Sequence, residues 1–144
     1  MGQRIYLKID GVEGSGTADR RGWMELTNAS QALSTHDGRE ASAWHDVSIS
    51  RICDRATPLL ARAAAVGRRF PEAVLEITDG AEAVRLRLTF RDLALRNWSL
   101  SAVRENPEPA PYENFSLAAA AVEWTWNPGS AAPVRAAFEP GAER

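Results

Sequence analysis

The two ends of the patterned part of this chain carry the same signature, and it constrains the fold more than any other feature. Near the start Ile5, Leu7 and Ile9 alternate with Tyr6, Lys8 and Asp10. Near the end Val122, Trp124 and Trp126 alternate with Glu123 and Thr125. A period of two sends successive side chains to opposite faces of an extended backbone, so both segments read as half-buried β-strands. A strand at each end of a small chain points to a sheet that closes on itself, with its first and last strands paired or nearby. The expected fold class is mainly β: a closed, two-sheet β-barrel of antiparallel strands with one short α-helix packed on its side.

The segments between support this. A second strand over about 23–33 buries Met24 and Leu26, then turns small and polar through Thr27, Asn28, Ala29 and Ser30. A third, 46–52, alternates through Val47 and Ile49. A fourth turns Ala73, Leu75 and Ile77 one way, and a fifth does the same with Val84, Leu86, Leu88 and Phe90. In the sixth, 93–100, Leu93 and Leu95 have one parity and Trp98 and Leu100 the other, which a bulge near Arg96–Asn97 would reconcile. The seventh runs over about 112–126. Ala118 to Ala121 favour helix by intrinsic propensity, but Phe115 and Leu117 before them and Val122, Trp124 and Trp126 after them keep a period of two. The helix reads from Thr57 as N-cap and Pro58 at its first position, with Leu59, Leu60, Ala63, Ala64 and Val66 as apolar face. Gly67 ends it, and Arg68 and Arg69 suit its negative end. Residues 11–22 form a loop too polar to pack, 34–45 a second loop with Asp37–Gly38 as its turn, and 104–111 a stiff proline-rich loop. The folded domain is expected over 1–128, with 129–144 as a flexible tail.

A chain of 144 residues allows one domain with a real hydrophobic core. Its net charge of -2 gives no electrostatic argument for nucleic acid or an anionic membrane. No run approaches the ~18 apolar residues a membrane helix needs, so no membrane insertion is expected. Lys8 and Asp10 interrupt the start of the chain, which reads as strand rather than signal peptide. The expectation is synthesis in the cytoplasm and, if the protein is exported, exit without a cleaved signal. The single cysteine, Cys53, excludes an internal disulfide and fits a reducing compartment.

Chemistry is sought and not found. The two histidines, His36 and His45, lack metal-ligand spacing. His45–Asp46 beside Cys53 could be drawn as a nucleophilic site, but a small thiol packed at a strand end is the plainer reading. Gly11, Gly14 and Gly16 follow a strand but no helix follows them, so the dinucleotide reading fails. No catalytic, cofactor-binding or metal-binding residue is expected, and the protein is not expected to be an enzyme. Glu72 and Glu76 read as a solvated strand face. Arg85, Arg87 and Arg91 form a basic stripe that faces solvent, a pore or a neighbour's acidic loop. Trp23 and Trp44 flank loops and are divided between core and subunit contact.

Three segments in order carry a resemblance: Ile5-Tyr6-Leu7-Lys8-Ile9-Asp10-Gly11-Val12-x-Gly14, then Val47-Ser48-Ile49-Ser50-Arg51-x-x-Asp54-x-x-Thr57-Pro58-x-Leu60 leading to a short helix, then Val122-Glu123-Trp124-Thr125-Trp126-x-Pro128. Together, over about 4–128, they resemble the haemolysin-coregulated protein (Hcp) family, the tube protein of type VI secretion systems. The resemblance implies a two-sheet barrel with a helix on its side, six copies in a ring, and rings stacked into a tube that sheath contraction drives out behind a spike. It implies self-assembly, sheath and spike partners, possible effector proteins in the lumen, and no catalytic residues. Asn28 and Ser30 fall in the family's small-residue segment, part of which faces the lumen. The 11–22 and 34–45 loops resemble those that reach the next ring or subunit. Trp23, Trp44, Arg20, Arg21, Arg85 and Arg87 are the expected subunit or ring contacts. The chain departs from the family pattern at Gly14-Ser15-Gly16, where Gly-Glu-Ser is common, at Arg20–Arg21, near a usual histidine, and at Ala119–Ala120. Two alternatives stand beside this reading: a monomeric barrel binding a small ligand or sugar in an apolar mouth lined by some of Trp23, Trp44 and Trp98, and a phage-type tail tube protein.

Overall fold

A computed structural model describes residues 2–34, 43–44 (backbone) and 46–140. The strands are β1 (Arg4–Ile9), β2 (Met24–Leu26), β3 (Asn28–Ser30), β4 (Leu33–Ser34), β5 (Ala43–Trp44), β6 (Val47–Ile52), β7 (Arg69–Thr78), β8 (Val84–Ser101), β9 (Tyr112–Trp126) and β10 (Val134–Phe138). The helix α1 spans Thr57–Val66. Antiparallel pairing runs in the order β2-β1-β7-β8-β9-β6-β3, with β10 on β9 and a separate β4-β5 pair. The architecture is the nearly closed, mainly β barrel with one helix that the strand periodicity implies.

Closure comes from an unexpected place. β1 pairs with β2 and β7, not with β9, so the first and last patterned strands are not partners. The second segment closes the barrel instead, by changing partners at Thr27. Before that residue β2 pairs with β1, and after it β3 pairs with β6. Thr27 marks the switch: its N–H and its hydroxyl both donate to the Ser50 carbonyl, each at 2.9 Å. One continuous stretch thereby stitches the two sheets together.

The expected fifth and sixth strands are one strand, the 18-residue β8. Its inward parity flips twice. The flip near Arg96–Asn97 is the expected bulge: pairing with β9 slips between Arg96 and Ser99, and Asn97 takes φ 55°. The other flip lies at Asp92 (φ 50°), between inward Phe90 and inward Leu93. Asp and Asn tolerate this left-handed region best among residues with a Cβ. The neighbouring strands turn at the same level, because Phe70 pairs with Leu93 and Leu93 with Ala119, whereas one step on Glu72 pairs with Arg91 and Arg91 with Ala121. The alanine run is therefore strand, at the corner where one sheet bends into the other. Leu7, Ile9, Met24, Ile49, Leu75, Phe90, Leu93, Phe115 and Leu117 fill the interior with almost no exposure.

Three expectations need correction. The N-cap of α1 is Ala56, not Thr57. Thr57 lies inside the helix, and the Asp54 carboxylate accepts from the Ala56 N–H at 2.8 Å. Of the expected apolar helix face only Leu60 and Ala63 are buried, because a ten-residue helix lying on a barrel touches it along one narrow line. Residues 129–144, read as a tail, supply β10, which pairs Val134–Phe138 with residues 122–126 of β9. β6 leaves β9 at Leu117, and the free edge beyond it needs a partner for its N–H and C=O groups. Gly67 ends α1 in the left-handed region as expected, with φ 67°. His36, His45 and the Asp37–Gly38 turn lie outside the described residues.

The 11–22 loop is built, not loose. Gly14 N–H donates to the Gly22 carbonyl and Gly16 N–H to the Trp23 carbonyl, both at 3.0 Å. A Cβ at Gly16 would collide with the Arg20 carbonyl oxygen, and one at Gly14 with the backbone of Trp23 and Met24. Gly16→Ala should therefore cost about 1–3 kcal/mol of stability, in the range of an overpacked site. Urea unfolding measures this directly, and an unchanged midpoint would show that the loop is not held as described.

Candidate functional site

Two buried charge clusters and one neutral face distinguish this barrel. The first cluster centres on Glu113 of β9, whose side chain is 0% exposed beside Arg51 of β6 at 1%. The two stand opposite each other in the β6–β9 ladder. Arg51 Nη1 donates to Glu113 Oε2 at 2.6 Å, and Thr57 Oγ1 donates to the same oxygen at 2.7 Å. Trp98 Nε1 donates to Glu113 Oε1, also at 2.7 Å. Arg51 Nη2 reaches Asp54 Oδ2 at 2.6 Å, and that oxygen also accepts the Ser15 N–H at 3.0 Å. Burial alone would push the Asp54 carboxyl up. The Arg51 hydrogen bond, the Ala56 and Ser15 N–H groups and the Arg51 charge together hold it below the ordinary carboxylate value. Sequence parity carried a signal here: Arg51 continues the inward set of Val47 and Ile49, and Glu113 that of Phe115 and Leu117.

The second cluster fastens the 11–22 loop to the outside of the barrel. Glu76, read from sequence as solvated, has a side chain only 7% exposed. It takes Arg20 Nη1 on one oxygen and Arg87 Nε on the other, the latter at 2.7 Å. The Arg20 guanidinium also lies over the Tyr6 ring at 4.4 Å and the Trp23 ring at 4.7 Å. Arg20, Arg87 and Trp23, expected as neighbour contacts, are thus engaged within their own chain. Arg21 is exposed. Arg85 pairs with Asp79 at 2.9 Å. The backbone at Trp44 pairs with Leu33, and its side chain lies outside the described residues. Glu72 stays exposed, as a solvated face requires.

The neutral face is the outer side of β3, β6 and β9. Cross-strand partners place Asn28, Ser50 and Asn114 in one row and Ser30, Ser48 and Ser116 in the next. Ser50 Oγ donates to Asn114 Oδ1. Neither row carries a charge until Arg96, which follows Ser116 on β8 and lies 3.8 Å from Asp46.

Cys53 is half-buried, and burial pushes its thiol up, the opposite of an activated nucleophile. No group of metal-ligating side chains occurs among the described residues. One hollow, about 710 Å³, is lined by residues including Arg4, Arg20, Glu25, Asp54 and Glu82, and by neither Trp23 nor Trp98. Trp23 lines a second hollow, of about 450 Å³, together with the charged Lys8, Asp10 and Glu72.

Such a structure is a nearly closed, helix-flanked β-barrel with two buried charge clusters and one neutral face. Residues 6–126 match the family described as "Type VI secretion system effector, Hcp". The chain belongs to the Hcp family, the tube proteins of type VI secretion. It is similar to the crystal structure of Hcp1 from Salmonella typhimurium, with 25% identity, a TM-score of 0.80, and coverage of 96% of this chain and 95% of that one. A type VI secretion system effector from Yersinia pestis superposes at TM-score 0.82 with 16% identity, over 94% and 98% of the two chains. The secreted protein Hcp3 from Pseudomonas aeruginosa does so at 0.71 with 13% identity, over 96% and 97%. No curated protein gives a sequence match.

Two outcomes test the Glu113 cluster. Glu113→Gln leaves Arg51 buried with one charge partner fewer and should cost about 3 kcal/mol in chemical unfolding. Combined with Arg51→Met the loss should be smaller than the sum, with a coupling of about 1–3 kcal/mol; strictly additive losses would refute the pairing. The Asp54 carboxyl is held low in the folded state, so its stabilisation is complete above the ordinary carboxylate pKa of about 4 and disappears as pH falls through the lower folded value. Asp54→Asn should lower stability at neutral pH and flatten the acid limb of a stability–pH profile; an acid limb as steep as wild type would refute this.

Proposed function

We propose that this chain is a structural subunit of a type VI secretion tube. Six copies form a ring around a central hole, rings stack head to tail, and sheath contraction expels the tube with its spike. The observation that carries this reading, beside family membership, is the Ser/Asn face of β3, β6 and β9. A lumen through which effector proteins ride must hold its cargo weakly. Small neutral hydroxyls and amides are well hydrated and offer neither the apolar anchors nor the desolvated charges that make tight contacts. Asn28 and Ser30, with Ser48, Ser50, Asn114 and Ser116, line the hole. A head-to-tail contact is heterologous, uses two different patches, and so propagates. Synthesis occurs in the cytoplasm, and export uses the apparatus itself.

Light scattering should report a particle of six times 15.7 kDa, and negative-stain images should show rings; a monomer at all micromolar concentrations would overturn the assembly. In a Cys53→Ser background, Ser30→Cys labelled with a gold cluster should place density inside the hole. Density on the outer rim would overturn the assignment of the neutral face while leaving the ring intact.

A further inference from the structure

The hollow of about 710 Å³ is walled by the start of β1, the end of β2, the end of β6, residues 15–20 and Glu82. Tyr6, in this wall, is only 6% exposed. The guanidinium groups of Arg4 and Arg20 lie over its ring at 6.0 and 4.4 Å. Its hydroxyl nevertheless makes no hydrogen bond among the described residues and is not sealed in, so it opens onto the hollow that Tyr6 lines. The charges that act on this phenol are those of Arg4, Glu25, Glu82 and Arg20, all in the same lining, and burial pushes its pKa up. At neutral pH it is therefore an uncharged group that can donate and accept. A polar side chain so deeply buried normally has a partner.

The surrounding charges define that partner. The lining holds the guanidiniums of Arg4, Arg20 and Arg51 and the carboxylates of Asp19, Glu25, Asp54 and Glu82. Each guanidinium already has a carboxylate. Arg4 donates through Nε and Nη2 to Glu25 at 2.9 and 3.0 Å, and its Nη1 lies 3.6 Å from Glu82. Arg20 reaches Glu76, which Arg87 shares, and Arg51 reaches Glu113 and Asp54. The Arg4 group thus carries one negative charge, the Arg51 group another, and the Arg20 group one positive charge. Asp19 adds a further negative charge and has no ion pair among the described residues. The sum is two negative charges, and the neighbouring Asp79–Arg85 pair leaves it unchanged. Arg21 and Arg55 follow lining residues in sequence but are not in the wall, and Lys8 lies over Trp23 in the second hollow. An anion here would meet carboxylates and no guanidinium without one. A cation rich in N–H groups would meet acceptors on three separate segments.

We infer that this hollow binds a small organic polycation, a free di- or triamine, with its ammonium groups shared among Asp19, Glu25 and Glu82 and one of them donating to the Tyr6 hydroxyl. The volume lies within the range of small-molecule sites. The site is separate from the Ser/Asn face and does not rest on the ring reading.

The test titrates spermidine into the full chain by calorimetry at about 0.1 M salt, which screens diffuse attraction beyond about 10 Å. Wild type should bind one spermidine per chain with a Kd below about 1 mM. Tyr6→Phe keeps the ring under Arg20 and removes only the hydroxyl; it should weaken binding about threefold or more. Asp19→Asn/Glu82→Gln should weaken it about tenfold or more. Glu72→Gln/Glu139→Gln, which removes carboxylates outside this hollow, should leave the affinity unchanged, and citrate should not bind. Circular dichroism establishes that each variant is folded. Absence of saturable binding would overturn the site, as would affinity unchanged by Tyr6→Phe, an equal loss in Glu72→Gln/Glu139→Gln, or binding of citrate. Thermal unfolding gives a second readout, because a ligand held by the folded state raises its midpoint. Spermidine should raise the midpoint of wild type and not that of Asp19→Asn/Glu82→Gln; equal shifts in both would refute the assignment.

Discussion

The carboxylate of Glu113 is the point on which the rest of this barrel depends. It has no contact with water, yet it lies among groups that satisfy it: a guanidinium from β6, an indole N–H from β8 and a hydroxyl from α1. Through Arg51 and Asp54 the same network extends to the backbone of the 11–22 loop. Removing a carboxylate from water is costly, and in such a place its attraction to one cation restores little more than that cost. What the arrangement supplies is specificity. Five segments that share no local sequence must meet in one register before the charge is satisfied, and a barrel assembled one residue out of register would leave it bare. The apolar interior would tolerate sliding far better, since its residues are interchangeable in kind.

With the interior so fixed, the outer surfaces are free to differ, and they do. The strand period of two separates the problems: what is inside is apolar on nearly every strand, and what is outside varies from strand to strand. On β3, β6 and β9 it is serine and asparagine. On β1, β7, β8 and β9 it is charged, with small residues between. On α1 it is Arg62 with the exposed aliphatic side chains of Leu59 and Val66. A barrel can present faces this different because its apolar core is filled from the inward set of each strand.

Much of this was legible in the alternation of side chains. The strands, the helix with its Gly67 terminus, and the bulge near Asn97 all follow from period and turn chemistry. Three features were not. Closure through Thr27 was hidden because a strand that changes partners looks, residue by residue, like one that does not. The corner at Asp92 read as a strand boundary because an aspartate between apolar runs is a common turn signal; only its neighbours in space, Pro71 and Ala120, make it a bend. Glu76 read as solvated because its own strand says nothing of the loop folded over it. The residues that bury it, Arg20 and Trp23, lie more than fifty positions away. Arg51 and Glu113 could have been found, since both occupy inward positions by parity, and a charge at an inward position asks for a partner.

The fastening of the 11–22 loop bears on what such a loop can do in an assembly. A loop free in solution gives up conformational freedom when it docks, and that loss subtracts from the affinity of the contact. Here Arg20, clamped by Glu76 and held between Tyr6 and Trp23, and Ser15, tied to Asp54, remove that freedom while the chain is still a monomer. Gly14 and Gly16 let the backbone lie close enough for this, which is why larger residues are excluded there. The loop's exposed Glu13, Thr17, Asp19 and Arg21, among others, are presented on a fixed platform. Any contact they make between rings then depends on the fit of a preformed surface rather than on a loop that must first find its shape.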